Sequence, residues 1–265
     1  MSIEKAYEAI KNRIPKRILI DSLSVVKQVD EYRQFWKPIK TNVILLAESH
    51  VFTSDDNFKV LCRNQWLSQL NYPSRYVRFV YCLGYGENNI LNTNVDNNKG
   101  TPQYWKIFSS SVAKNEYDLG FEKVNKLKTP LLNIRLRNKV GLLQEMKRRG
   151  IWLLDASIVG IYGSIAAKHN ELTANEIFEL KKSIFTICWD NYLINTVMEA
   201  KPKSIIVIGK GAKSVEGILK WRLNQLEDKL GTSYSALPQP QGSRGSSEEQ
   251  LNTYKEYQRI CSKYC

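Results

Sequence analysis

Four short apolar runs, each ending in polar residues or glycine, are the feature that most constrains the fold. They cover residues 42–49, 78–84, 151–157 and 203–209. Strands of a parallel sheet are buried on both faces and read as such near-continuous runs. Helical patterns alternate with them, so the order predicts an α/β fold with right-handed crossovers. We expect a three-layer α/β/α sandwich around a central, four-stranded, mainly parallel sheet.

Two amphipathic helices are predicted before the first run, over residues 2–14 and 20–36. Pro15 breaks the pattern between them, and Asp21 is placed to cap the second helix. We therefore predict a helical cover over residues 1–40 and an α/β domain over residues 41–265.

The charge of the chain favours a polyanionic partner. Its formal net charge is +13, with a sequence pI near 9.4. Such an excess concentrates nucleic acid near a protein surface, although a basic protein without that partner is the alternative. Double-stranded DNA is the expected partner.

Other sequence features narrow the setting. No apolar run is long enough to span a bilayer, and the first residues form no signal peptide. A cytoplasmic monomer with reduced cysteines is therefore expected. The five cysteines and two histidines have no metal-ligand spacing, so we expect neither a metal nor an organic cofactor.

Polar side chains follow the first and third apolar runs, where an open α/β sheet forms its ligand crevice. Glu48, Ser49 and His50 follow the first run, and Asp155 ends the third. The alternatives are structural: Glu48 and Ser49 only cap the strand end, Asp155 caps the next helix, and His50 is a satisfied core histidine.

Three loops are candidates for function. The stretch from Ala236 to Arg244 contains two prolines and Gly242, and presents Arg244 before a C-terminal helix predicted over 246–264. The loop over 84–101 is long enough to suggest a functional role. Lys210 and Lys213 precede a helix whose first amides are placed to hold a phosphate. An ordinary surface turn is the alternative for the proline-rich loop.

Four segments in this order resemble the motifs of the uracil-DNA glycosylase superfamily. Ala47-Glu48-Ser49-His50-Val51-Phe52 matches a first motif of the type Gly-Gln-Asp-Pro-Tyr-His, and Trp152-Leu153-Leu154-Asp155 matches the type Leu-Leu-Leu-Asn. Ile208-Gly209-Lys210-Gly211-Ala212 is similar to Gly-Lys-x-Ala. Leu237-Pro238-Gln239-Pro240-Gln241-Gly242-Ser243-Arg244 is similar to Leu-Pro-Asn-Pro-Ser-Gly-Leu-Ser-Arg of the mismatch-specific and thymine branch. The resemblance spans roughly residues 40–260, and no single motif is intact.

The resemblance implies a monofunctional DNA glycosylase that flips a base out of the duplex and hydrolyses its N-glycosidic bond. It assigns catalysis to Glu48, Ser49, His50 and Gln239, and base binding to Val51, Phe52, Tyr85 and Asp155. Contacts with DNA fall to Lys210, Lys213, Gly242, Ser243 and Arg244. Phe52 and Tyr85 are, as an alternative, core or rim residues.

Two departures from the motifs bear on the substrate. Val51 is smaller than the Tyr that excludes bases with a C5 group, and an ionised Asp155 only accepts hydrogen bonds. An acceptor suits the exocyclic amine of cytosine. We therefore expect a 5-substituted, cytosine-like base rather than uracil, in repair or in defence against modified phage-type DNA. The alternative is a catalytically silent DNA-binding protein of the same fold.

Overall fold

Four parallel strands form the central sheet of the computed structural model, which describes residues 2–115, 127, 129–161, 172–239 and 247–265. The strands are β1 (Val43–Ala47), β2 (Ile151–Asp155), β3 (Ser204–Ile208) and β4 (Ser233–Leu237). Every residue of β1, β2 and β3 is buried, as expected for strands covered on both faces. The predicted α/β fold is therefore confirmed.

Helices surround this sheet in the described ranges. They are α1 (Ile3–Arg13), α2 (Leu23–Phe35), α3 (Asp55–Phe58), α4 (Gln65–Gln69), α5 (Pro102–Ser111), α6 (Leu132–Arg149), α7 (Ala174–Cys188), α8 (Ile194–Ala200), α9 (Val215–Leu230) and α10 (Ser247–Tyr264). A π-helical turn joins α7 to α8 over Trp189–Leu193. Pro102 lies in the first turn of α5 as predicted, and Gly150 ends α6 with a φ of 77°. None of the described helices is long and apolar enough to cross a membrane.

The strand order β2-β1-β3-β4 fixes where the chain reverses direction across the sheet. After β1 the chain moves to one side to form β2, and then crosses β1 to form β3 and β4 on the other side. The switch point therefore lies between the carboxyl ends of β1 and β3, and ligands of open α/β sheets commonly bind at such a point. The residues that follow β1 face both this point and the end of β2.

Two strand assignments from the sequence need correction. Residues 78–84 do not form a strand, because their backbone closes successive turns such as Cys82 N–H to the Phe79 carbonyl at 2.9 Å. Their apolar character reflects burial in the core, where Phe79 and Tyr81 are 2% and 1% exposed. The fourth strand is instead β4, in which only Leu237 is fully buried.

The N-terminal helices share the hydrophobic core of the sheet. Ile10 of α1 and Val29 of α2 belong to the same buried cluster as the strands. Asp21 is not the cap of α2: Ser22 occupies that position, without a side-chain bond. The Asp21 carboxylate is fully buried and instead accepts hydrogen bonds from the backbone N–H groups of Thr53 (2.8 Å) and Gly160.

Candidate functional site

A small hollow lies at the carboxyl ends of β1 and β2. It contains four of the predicted site residues, and its volume is about 20 Å³. Its lining residues are Ser49, His50, Val51, Arg78, Phe79, Val80, Thr101, Tyr104, Leu153 and Asp155. Because one water needs roughly 10–15 Å³, this hollow holds about one water and no base.

A buried ion pair includes Asp155, one of the residues that line the hollow. The Arg33 Nη2 atom donates to Asp155 Oδ2 at 2.7 Å, and both side chains are 2% exposed. Burial alone would raise the pKa of Asp155, but Arg33 and His50 outweigh it and hold that pKa below its usual value. The lowered pKa favours the ionised form of Asp155, which only accepts hydrogen bonds, and its Oδ2 atom already accepts from Arg33.

His50 joins two carboxylates. Its Nε2 atom lies 3.1 Å from Asp21 Oδ2, and its Nδ1 atom lies 3.7 Å from Asp155 Oδ2. The second distance is too long for a direct hydrogen bond, so we regard it as an ion pair. Burial would lower the pKa of His50, yet the two carboxylates together raise it. His50 is thus a buried histidine that lies between two carboxylates and also lines the hollow.

Ser49 is held by the backbone on both sides. Its hydroxyl donates to the His50 carbonyl at 2.8 Å and accepts from the Ile161 N–H at 3.2 Å. A hydroxyl with these two partners is a structural link between the end of β1 and residue 161. The geometry thus agrees with the structural alternative for Ser49.

Glu48 belongs to a different region from the other first-motif residues. Its Oε1 atom lies 2.5 Å from Lys181 Nζ of α7, and the two side chains are 15% and 22% exposed. It is not among the residues that line the hollow. Glu48 comes directly after β1, beside the switch point between β1 and β3. It is partly accessible there, but does not share a cavity with Asp155.

Three further predicted residues also lie outside the hollow. Phe52 is half-buried, and its backbone packs tightly on Gly160. A Cβ atom added to Gly160 would lie 2.5 Å from the Phe52 N atom. Tyr85 lines a separate and larger cleft. Gln239 is half-buried beyond β4, at the opposite edge of the sheet from β2. Glu48, Asp155 and Gln239 were expected to line one hollow, but of these three only Asp155 does so.

The lysine loop after β3 differs from the prediction in one respect. Lys210 and Lys213 are exposed as expected for DNA contacts. The N–H of Gly211, however, donates to Glu216 Oε2 of α9 at 3.0 Å. This carboxylate thus engages an amide of the loop before α9 and adds a negative charge beside the amides that were predicted to hold a phosphate. Gly242, Ser243 and Arg244 lie outside the described residues, as does Ser246, the first residue of the predicted C-terminal helix.

The larger cleft lies between the loop over 84–101 and the starts of α5 and α6. The described residues enclose about 340 Å³ there, within the range of roughly 300–1,000 Å³ that is typical of small-molecule sites. Its lining residues are Tyr85, Gly86, Glu87, Lys99, Gly100, Thr101, Pro102, Trp105, Leu127, Arg135 and Lys139. Thr101 lines both the cleft and the hollow, which makes the two cavities neighbours.

Neither the contact of Arg33 with Asp155 nor that of Asp21 with His50 was predicted from the sequence. Arg33 and Asp21 come from the N-terminal segment, and Arg33 pairs with a partner 122 positions away. Phe79 was assigned to a strand rather than to the wall of the hollow. A buried arginine on a core-facing helix is the signal that would have suggested Arg33, because such a charge requires a partner.

Comparisons with known proteins identify no relative. No family model matches the chain, and neither a curated protein nor a solved structure matches it. In the described ranges, no group of three His, Cys, Asp or Glu side chains is placed to hold a metal ion. The resemblance to the uracil-DNA glycosylase superfamily therefore rests on the sequence motifs alone.

Proposed function

We propose that the protein binds duplex DNA and does not excise bases in the conformation described. The observation that carries this proposal is the Arg33–Asp155 ion pair at 2.7 Å in a hollow of about 20 Å³. A glycosylase needs a pocket for the everted base. Here the expected base-reading carboxylate already binds a buried guanidinium.

The other groups expected to act in catalysis are also engaged. Glu48 pairs with Lys181, and the Ser49 hydroxyl bonds the backbone at both ends. A water placed for attack at the sugar would need a carboxylate that could polarise it. Releasing Glu48 or Asp155 for that task would break an existing ion pair.

Support for DNA binding comes from the charge of the chain, because +13 is a large excess for 265 residues. Exposed lysines such as Lys210 and Lys213 follow a strand end and are suited to phosphate contacts. Each phosphate that such a lysine neutralises contributes about 0.9 to the slope of log affinity against log salt.

The test is a salt series of fluorescence anisotropy with a short labelled duplex. We expect binding that weakens steeply with salt, and a slope lower by roughly 2 in a variant with Lys210→Ala and Lys213→Ala. The matched control carries Lys59→Ala and Lys182→Ala, since these lysines pair with Asp56 and Glu179. An equal loss in both double variants, or no binding at low salt, would contradict the proposal.

A DNA glycosylase is the second candidate, and His50 is the observation that favours it. A histidine with raised pKa that lines the hollow can donate a proton or hydrogen bond to an anionic leaving base. This candidate requires the hollow to enlarge. Incubation with duplexes containing uracil or 5-substituted cytosines, followed by alkali, separates the candidates. Strand breaks with the wild type that are lost in His50→Gln would establish the glycosylase, whereas DNA binding without breaks supports our first proposal.

A further inference from the structure

Within the ranges that the structure describes, the larger cleft contains an ion cluster of two cations and one carboxylate. The Glu87 carboxylate accepts from Arg135 Nε and Nη2 at 2.7 Å each, and from Lys139 Nζ at 2.6 Å. The side chains of Glu87, Arg135 and Lys139 are 4%, 15% and 8% exposed. Among the described residues this cluster has one positive charge in excess in a largely desolvated place, and a further anion would stabilise it there.

One wall of the cleft is aromatic. Lys139 Nζ lies over the Trp105 ring, 5.2 Å from its centroid, and Tyr85 lines the same cleft. Pro102 adds apolar surface, and the exposed Lys99 adds a further cation at the edge. A planar ring that carries an anionic group would match both the wall and the charge.

The loop that builds the cleft is fixed before any ligand arrives. Asn98 Nδ2 donates to the Gly84 carbonyl at 2.8 Å, and Asn98 Oδ1 accepts from the Gly86 N–H at 2.8 Å. Gly86 and Gly100 have φ values of 99° and 64°, and a Cβ on Gly86 would lie 3.3 Å from the Gly100 Cα atom. Side chains at either position would be strained, so the two ends of the loop approach each other because both are glycine.

Thr101, which lines both the cleft and the hollow, has a polar group without a partner among the described residues. Its Oγ1 atom is buried and has no hydrogen-bond partner among the described residues. Thr101 precedes α5 at the capping position, yet its side chain makes no capping bond. A buried hydroxyl without a partner is destabilising, so a ligand that bonds it would restore the lost interaction.

We propose that this cleft binds a nucleoside 5′-monophosphate unit, with its phosphate facing Lys99, Arg135 and Lys139 and its base against Tyr85 and Trp105. The unit has two possible sources, a free nucleotide or the 5′-phosphorylated end of a DNA strand. The inference is independent of duplex binding, because a free mononucleotide tests it without DNA. Failure in one assay therefore leaves the other interpretable.

The experiment is isothermal titration calorimetry of the whole chain with deoxycytidine 5′-monophosphate, deoxycytidine and inorganic phosphate. We expect the mononucleotide to bind at least about tenfold more tightly than either fragment, since both parts of the site contribute. Equal affinity for the mononucleotide and phosphate would overturn the proposal, because it would indicate a general anion effect on a basic protein. Absence of mononucleotide binding would also overturn it.

Two variants locate the site without disturbing the ion cluster. Thr101→Val removes only the unpartnered hydroxyl, so we expect equal or higher stability and about fivefold weaker binding, with recovery of binding in Thr101→Ser. Lys99→Ala should weaken binding about threefold. The matched control is Lys220→Ala, an exposed lysine of α9 that does not line the cleft. An equal effect of Lys99→Ala and Lys220→Ala, or full binding by Thr101→Val, would place the nucleotide elsewhere and contradict the assignment.

A competition experiment distinguishes the two sources. Single-stranded oligonucleotides with and without a 5′-phosphate are titrated against bound mononucleotide. Displacement by the phosphorylated strand alone would identify a strand end as the ligand, whereas displacement by neither strand would identify the free nucleotide. Equal displacement by both strands would show that the 5′-phosphate is not recognised, and would overturn the proposal.

Discussion

The hollow at the strand ends and the cleft beside the loop over 84–101 contain the same kinds of charged groups, arranged to opposite effect. In the hollow, Arg33 and His50 face the carboxylates of Asp155 and Asp21, and about 20 Å³ remains. In the cleft, Glu87 faces two cations, and about 340 Å³ remains. In the hollow, the cations and carboxylates pair with each other and little volume remains between the side chains. In the cleft, the described residues have an excess of positive charge next to a volume that can hold a ligand. A location at the carboxyl ends of the strands therefore does not by itself show that a site has room for a ligand.

The largest expected effect comes from breaking the pair in the hollow. Arg33→Met leaves Asp155 buried without its cation, so we expect a loss of about 3–5 kcal/mol in the free energy of unfolding, measured in urea. The double variant Arg33→Met with Asp155→Leu removes both charges and should recover most of that loss. If the double variant is as unstable as the single one, the loss does not come from the unpaired charge of Asp155.

A smaller effect is expected in the cleft. Glu87→Gln removes the carboxylate of the cluster, and we expect a loss of about 2 kcal/mol, because Arg135 retains contact with water. Phosphate should restore part of it by binding the two cations. The control is Glu145→Gln, which pairs with Arg148 and Arg149 at a more exposed position and should cost less than about 1 kcal/mol. Stability of Glu87→Gln that is insensitive to phosphate would show that the cluster does not attract anions.

The pH dependence of stability distinguishes the two regions further. Because the folded-state pKa of His50 is raised, its contribution is complete below the unfolded-state value near 6.5 and is lost as pH rises through the folded-state pKa. Burial would raise the pKa of Glu87, but Arg135 and Lys139 lower it, so the Glu87 contribution is lost only in acid. Between about pH 6 and pH 9, urea unfolding should therefore show a decline in the wild type that is smaller in His50→Gln and unchanged in Glu87→Gln. A decline of the same size in His50→Gln would contradict the charge assigned to His50.

The smallest expected effect is at the switch point. Glu48 and Lys181 are both partly exposed, so Glu48→Gln should change the free energy of unfolding by less than about 1 kcal/mol. We also expect unchanged affinity for duplex DNA in the anisotropy assay. A variant that keeps its stability but loses a base-excision activity of the wild type would identify Glu48 as catalytic, and would favour the glycosylase.

The sequence predicted the fold well where burial is symmetrical. The strands β1, β2 and β3 are continuous apolar runs, and short runs of this kind separated by helices are typical of buried parallel strands. The edge strand β4 was missed, because four of its five residues are only half-buried. Residues 78–84 were misassigned, because an aromatic segment that turns within a core has the same composition as a strand.

The candidate site was predicted only as far as local sequence determines it. Ser49, His50 and Asp155 meet because parallel strands end at one edge of the sheet. Their chemical state depends on Arg33, which lies in an N-terminal helix and 122 positions from Asp155. Neither hydrophobic periodicity nor motif spacing indicates a pair so far apart in the sequence. Asp155 was therefore expected to be available for reading a base. The loop over 84–101 was predicted to be functional from its length, and it lines the larger cleft.

The contrast between the closed hollow and the open cleft can be measured in one spectrum. The indole N–H of Trp152 donates to the carbonyl of Arg33, the residue that pairs with Asp155, at 2.9 Å, whereas Trp105 lines the cleft. In a 15N–1H NMR titration of the whole chain with deoxycytidine 5′-monophosphate, we predict that the Trp105 indole signal shifts to saturation and the Trp152 signal stays in place. A saturable shift of Trp152 with an unmoved Trp105 would contradict the account.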